Sequence, residues 1–285
     1  MKSVNQAVIL AAGQGSRLNG ANNGAAKCMS EVGGTTLIEH QIHTLRSVGI
    51  ERIIVVIGHE AEAVKACAGE DCIYIENTRY AETNSLYSLW LAKKAVTGAF
   101  LLMNGDVLAH PEVYCRLIEA DGTALAFDST SGDKDEHMKV HVFDGKLRAI
   151  SKELPQSETR GENVGILRFD HDDVPALFDA VDTFIEQGEH SMWSPAAVGK
   201  LSQTRPVQCI DVSDLAWVEI DFPEDLELAR NEIWQKVCST SIQRTHRNGT
   251  NRIQSCRTSS RRNGAVPFVN RVNDRSNNKC INKLD

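Results

Sequence analysis

Short apolar runs alternate with longer amphipathic ones along roughly the first 120 residues. Ala7-Val8-Ile9-Leu10 has the continuous apolar character of a short buried strand. Residues 36–49 come next, with Leu37, Ile38, Ile42, Leu45 and Val48 at the spacing of one helical face. Residues 52–58 form the β-branched run of a strand covered on both sides. The alternation recurs: 72–76 predicts a strand, 84–96 a helix opened by Asn84 as N-cap, and 99–106 a strand ending in a Gly-Asp turn. Such alternation builds a parallel sheet with right-handed crossovers and helices on both faces. Sheets of this kind bind ligands beyond the carboxyl ends of their strands.

Beyond about residue 122 the pattern changes. Strand-like residues 137–143 and 146–150 flank Asp144-Gly145, a strong hairpin signal. Residues 163–170 predict another strand, and Asp173 to Gln187 a helix with Val174, Leu177, Phe178, Val181 and Ile185 in step. The chain returns through strand-like 206–212 and 215–221 to a last helix over 223–237, with Pro223 in its first turn and acids at its positive end. The class is α/β: a mixed, mainly parallel sheet flanked by helices, without internal repeats.

The chain has 285 residues, 41% hydrophobic, with 31 Lys+Arg against 38 Asp+Glu and a net charge of −7. That length suits one large α/β domain. No apolar run reaches the roughly 18 residues of a membrane span and no leader is evident, so no membrane span and a cytoplasmic location are expected. The eight cysteines form no C-x-x-C pair, and His40 and His43 lack matching partners; free thiols and no zinc site are expected. Charge divides the chain: residues 239–285 carry ten Lys+Arg and two acids, the remainder 21 and 36. The tail is rich in Ser, Asn, Thr and Arg without an apolar period, so it reads as a basic disordered tail. With Phe268 its one aromatic, specific nucleic-acid binding is not expected. The change of style after Cys238 would suit a read-through or frameshifted end. The expected organisation is a domain over 1–238, in halves of about 1–121 and 122–238, plus the tail; no signal of oligomeric state is present.

Chemistry gathers at strand ends. The turn Leu10-Ala11-Ala12-Gly13-Gln14-Gly15-Ser16-Arg17 lets backbone N–H groups approach a polyphosphate, with Arg17 to grip it. It is not the Rossmann fingerprint, since Leu18 stands where the third Gly belongs, nor a Walker loop, which needs Gly-Lys-Ser/Thr. Lys27 lies ten residues after Arg17. Residues 77–92 form a polar loop running into an amphipathic helix. Asp106 and Asp221 each sit at a predicted strand end, though spacing alone does not join them.

The string from Ala7 to Leu18, the Lys ten residues beyond the Arg, and Glu31 to Ile42 together resemble the opening of the nucleotidyltransferases of the sugar-phosphate pyrophosphorylase and cytidylyltransferase superfamily. The segment Asn77-x-x-Tyr80-x-x-x-Asn84-x-x-x-Ser88-Leu89 is similar to the phosphocholine and 2-aminoethylphosphonate cytidylyltransferase branch. The resemblance implies a Rossmann-like sheet of the nucleotide-diphospho-sugar transferase type. In it Leu10, Ala11, Ala12, Gly13 and Gly15 wrap the nucleoside triphosphate, and Arg17 and Lys27 neutralise its phosphates. It further implies that Tyr80, Asn84 and Ser85 lie along the nucleotide, that Asp106 and Asp221 ligate Mg2+ with Glu219 beside them, and that Lys139 of Met138-Lys139-Val140 meets the acceptor phosphate. One departure stands out: Ala26 occupies the place before the Lys where the family usually has Pro. The activity implied is magnesium-dependent transfer of a nucleotide, CTP favoured, to phosphocholine or 2-aminoethylphosphonate. A sugar-1-phosphate or inositol-phosphate acceptor, a non-catalytic nucleotide-binding relative and, more remotely, a Rossmann oxidoreductase stay open. For the acceptor's nitrogen the sequence offers aromatic walls (Trp193, Trp217, Tyr114, Phe127) and carboxylates (Asp133, Asp135, Glu136) alike.

Overall fold

A computed structural model describes residues 4–18, 20–22, 24–247 and 250–257. Strand β1 (Gln6–Ala11) lies inside the sheet because its side chains alternate between two apolar layers. Ala7, Ile9 and Ala11 enter one core, and Val8 and Leu10 the other. The chain then forms a short hairpin, β2 (Glu31–Val32) with β3 (Thr35–Thr36), and enters helix α1 (Leu37–Ser47) through a capping box between Thr36 and Glu39. Next come β4 (Arg52–Ile57), α2 (Ala61–Ala68), β5 (Ile73–Glu76), α3 (Ser85–Ala92) and β6 (Phe100–Asn104). Asn84 caps α3 as its position predicts. Strands β4, β1 and β6 are parallel neighbours, with β5 parallel outside β4.

The second half continues the same sheet. It comprises β7 (Val107–Ala109), α4 (Pro111–Glu119), β8 (Ala124–Asp128), β9 (Lys139–Phe143), β10 (Lys146–Ser151), β11 (Gly161–Phe169), α5 (Val174–Glu186), α6 (Pro195–Ser202), β12 (Gln208–Asp211) and β13 (Trp217–Glu219). The order across nine strands is β5-β4-β1-β6-β11-β8-β12-β10-β9. Asp144 and Gly145 both hold positive φ, 53° and 65°, as a two-residue hairpin turn requires. Strands β7 and β13 pair separately as a two-stranded ribbon.

The last helix runs from α7 (Pro223–Leu228) through a π turn at Ala229–Ile233 into α8 (Trp234–Cys238). The extra residue of the π turn re-aims α8, and the Trp234 indole lies directly over Gly33 of the β2–β3 turn. The edge of His40, in α1, meets the same indole at 5.1 Å. Burial, with the neighbouring His43 adding, pushes His40 down to about 4, so its imidazole packs there in the neutral form. Within 239–285, read from sequence as disordered, a hairpin pairs β14 (Thr240–Arg247) with β15 (Thr250–Arg257). Asn248-Gly249, between them in sequence, is a dipeptide that two-residue hairpins favour. The rest of that tail, 258–285, lies outside the described residues. Among the described residues no helix is long and apolar enough to cross a membrane, and Cys28, Cys67, Cys72, Cys115, Cys209 and Cys238 are free thiols.

Register at the β10–β9–β11 junction decides which residues see which face. Lys139 pairs with Ser151 on one side and Glu162 on the other. Side chains of that row share one face, and those one residue on share the opposite face. Glu162 is buried, accepts from the Ser131 hydroxyl and lies 3.2 Å from His137 Nδ1. Burial pushes its carboxyl up to about 7, with Asp128 adding to the rise.

These contacts have two effects on stability. Gly33 has φ +65°, and a Cβ there would fall inside the Trp234 indole. Gly33→Ala should therefore lower stability by roughly 2 kcal/mol or more, measurable as a fall in Tm. Glu162 ionises near pH 4.3 when unfolded but near 7 when folded, so the folded state holds the extra proton between those values and stability falls as pH rises across that window. Glu162→Gln cannot ionise. In urea unfolding it should match the parent at pH 4 and exceed it by roughly 3–4 kcal/mol at pH 8.

Candidate functional site

A cleft of about 420 Å³ opens at the carboxyl ends of β1 and β6. Leu10 and Ala12 reach it from β1 and the turn beyond, whereas Ala11, one residue between them, points into the core on the other face. The Ala11 side chain therefore does not line the cleft. Gly13, Gly15 and Arg17 form the lip. The loop doubles back so that the Lys27 N–H reaches Gly13 O at 3.4 Å. Ala26 has φ −54° and ψ 143°, a conformation a proline would also take. Its N–H, which proline lacks, donates to Glu60 Oε2 at 2.8 Å. At Gly58, just beyond β4, an added Cβ would come within 2.7 Å of Tyr80 Cβ and 2.8 Å of Ala12 O. Glycine there allows the loop, the strand end and Tyr80 to close together.

Asp106 and Asp221 meet because β7 and β13 pair. Val107 lies opposite Glu219, and Ile220 N–H donates to Asp106 O at 3.0 Å. The Gln41 amide, from α1, donates to Asn104 O at 2.9 Å and Val107 O at 2.8 Å, fixing the turn that carries Asp106. The N–H groups of Asp221 and Phe222 both donate to Asp225 Oδ2, so Asp225 caps α7 and the Asp221 carboxylate is left to face the cleft.

Lys27 Nζ donates to Asp106 Oδ2 at 2.6 Å and also to Asp221 Oδ1. Arg17 reaches the same Asp221 oxygen at 3.0 Å and stacks over Phe222. Burial alone would lower the Lys27 pKa, but Asp106 and Asp221 outweigh it and hold the ammonium charged. Burial likewise opposes ionisation of Asp221, and Lys27 and Arg17, with Lys152 adding, hold it below the ordinary value. Glu219 takes the opposite state: burial, with the Asp106 charge beside it, pushes it up to about 8, and the Asn104 amide donates to it at 3.1 Å. Asp106 Oδ1 is buried with no partner. Among the described residues no three His, Cys, Asp or Glu gather as a closed metal cage. Two carboxylates converging on one cation, one with an oxygen unspent, are a donor set that suits Mg2+, which completes its shell with water and substrate oxygens.

Tyr80, Asn84 and Ser85 line the cleft as expected, joined by Asn77 and Ser88. The first turn of α3 is tied to the loop carrying Trp193: Asn84 N–H donates to His190 O, Leu86 N–H to Met192 O, and Ser194 N–H to Ser85 Oγ. Glu136, Met138, Lys152, Asn163 and Trp193 also line the cleft. Lys139 is corrected here. It sits in the register row facing away from the cleft, buried beside Glu162, while Met138, Asn163 and Lys152, one residue on from that row, line it. Of the aromatic walls only Trp193 lines the cleft. Tyr114 and Phe127 are core residues, and the Trp217 indole donates to Asp128. Of the carboxylates Glu136 lines it, while Asp133 and Asp135 do not. Lys152 and Asn163 carried no motif of their own; the strand alternation around Asp144-Gly145, followed outward from the turn, was the signal that could have found them.

Residues 7–174 match the family of the MobA-like NTP transferase domain. The bifunctional IPC transferase and DIPP synthase of Aquifex aeolicus is 26% identical over 80% of this chain and 51% of its own length. The CMP-5'-(3-aminopropyl)phosphonate synthase of Streptomyces rubellomurinus is 30% identical over 77% and 37%. The chain thus spans about half or less of these relatives. The inositol-1-phosphate CTP transferase of T. maritima shares the fold at a TM-score of 0.67, with 22% identity and 80% and 95% of the two chains covered. The CTP:phosphocholine cytidylyltransferase of Streptococcus pneumoniae does so at 0.64, with 21% identity, 79% and 96%. The glycine-containing turn, its returning lysine and Asp106 fall within a match that covers more than half of the sequence, and the chain belongs to the MobA-like NTP transferase domain family of nucleotidyltransferases.

Proposed function

We propose that the protein is a magnesium-dependent cytidylyltransferase that joins CMP from CTP to a small phosphorylated amino alcohol or phosphonate, releasing pyrophosphate. The observation that carries this reading is the Lys27 ammonium between Asp106 and Asp221 at the mouth of a glycine-containing phosphate loop. In this division of labour the half up to about residue 121 binds the nucleotide and the half from 122 to 238 the acceptor. CTP rather than another triphosphate is favoured by the names of the relatives that use it.

An acceptor phosphate or phosphonate oxygen attacks the α-phosphorus of the triphosphate. The new P–O bond forms as the bond from the α-phosphorus to the bridging oxygen breaks, and pyrophosphate leaves with that electron pair. A phosphomonoester with a second pKa near ~6 is already largely dianionic at neutral pH, so no protein base is required. The obstacle is repulsion among anions. Arg17, Lys27 and the N–H groups of the Gly13–Gly15 turn answer it by stabilising charge on the transferred and leaving phosphates. Lys152 takes the acceptor-phosphate role that sequence gave to Lys139. Asp106 and Asp221 would hold Mg2+, which supplies positive charge at the α-phosphate, and protonated Glu219 adds no further negative charge beside it.

Pyrophosphate release with Mg2+, comparing CTP, UTP, GTP and ATP over a panel of phosphorylated acceptors, tests the reading. CTP should be preferred, and Asp106→Ala should abolish release. Release with a hexose 1-phosphate in place of amino-alcohol acceptors would overturn the acceptor class, and none with any pair would overturn the activity. Lys27→Met should lower kcat/KM about 1,000-fold. It should also raise the Tm gain produced by added Mg2+, because the two carboxylates then lack the ammonium that already neutralises them.

A further inference from the structure

The acceptor end of the cleft contains an unmet demand that the transfer chemistry does not use. Asn163 is 5% exposed, lines the cleft, and its Oδ1 is buried without a partner. A buried carbonyl oxygen left unpaired is costly, and this one sits where a bound ligand can donate to it. Its backbone N–H donates to Met138 O at 2.8 Å, which fixes Asn163 beside the segment that carries Glu136. Glu136 is exposed at the rim and lines the same end. A buried acceptor and a rim carboxylate together suit a group that is both cationic and a hydrogen donor.

A quaternary ammonium has no hydrogen to donate and is held by aromatic faces. Trp193 is the one aromatic among the lining residues at this end, and Lys152 Nζ lies over its ring at 4.8 Å. That face already carries a cation. An uncharged polyol could donate to Asn163 but would gain nothing from the Glu136 charge.

We infer that the acceptor carries a primary ammonium, hydrogen-bonded by Asn163 and paired with Glu136. The inference rests on the cytidylyltransferase reading and narrows it. Phosphoethanolamine and phosphocholine, which differ by three methyl groups on nitrogen, form a matched pair, with 2-aminoethylphosphonate and inositol 1-phosphate beside them. With CTP and Mg2+, kcat/KM for the primary amines should exceed that for phosphocholine by at least about 100-fold, since a site built to receive a hydrogen bond rejects an analogue that lacks the donor, and should also exceed that for inositol 1-phosphate, which has hydroxyl donors but no charge for Glu136 to pair with. Asn163→Leu should raise KM for the amine acceptor at least tenfold and narrow the ratio, with KM for CTP within twofold. Glu136→Gln, a rim change that does not disturb the core, should do the same to a smaller degree. CTP-dependent release in which phosphocholine or inositol 1-phosphate equals or surpasses the amines would overturn this inference and leave the transferase reading intact. Absence of release with every acceptor would overturn both.

Discussion

One ammonium group organises the site. Lys27 Nζ bonds to carboxylates delivered by two distant parts of the chain, and without a cation between them Asp106 and Asp221 would repel each other in a half-buried space. Everything that positions the three groups serves this contact. The glycine turn brings Lys27 back under β1, the β7–β13 ribbon brings the acids together, and Gln41 locks the intervening turn. The balance of charge also separates the acids by state: Asp221 is held ionised while buried Glu219 keeps its proton. The site's charges are thus already paired, so an anionic ligand or a cation entering it would exchange partners instead of creating them.

The fold was legible where periodicity was strong. The four parallel strands, α1, α5 from Val174 to Glu186, and the Asp144-Gly145 hairpin come directly from spacing and turn chemistry. Segments whose apolar pattern is short or broken, such as α2, α6 and β7, were not readable from sequence, because their order comes from packing on neighbours formed elsewhere. The π turn before Trp234 was equally hidden, since residues 223–237 fit an unbroken helix in local pattern.

The part of the cleft formed by the Leu10–Arg17 turn was legible because its residues succeed one another along a single strand–loop unit. The acceptor side was not, because it is assembled across three strands whose register no local pattern specifies. Lys139 illustrates the difference: its motif was noticed, but a strand alternates faces at every residue, and Met138 took the place facing the cleft. The union of Asp106 with Asp221 lay beyond sequence reading for the same reason, since it depends on a ribbon pairing formed across more than a hundred residues.

Ala26 gives the phosphate loop a fastening of a different kind from a proline ring. A proline would hold φ covalently and lower the entropy of the unfolded loop, whereas here the same backbone shape is held by a hydrogen bond to Glu60. Such a latch opens on its own timescale. The loop's shape therefore rests on a residue 34 positions away, and any fraction of time that bond is broken lowers the share of molecules ready to bind a ligand there.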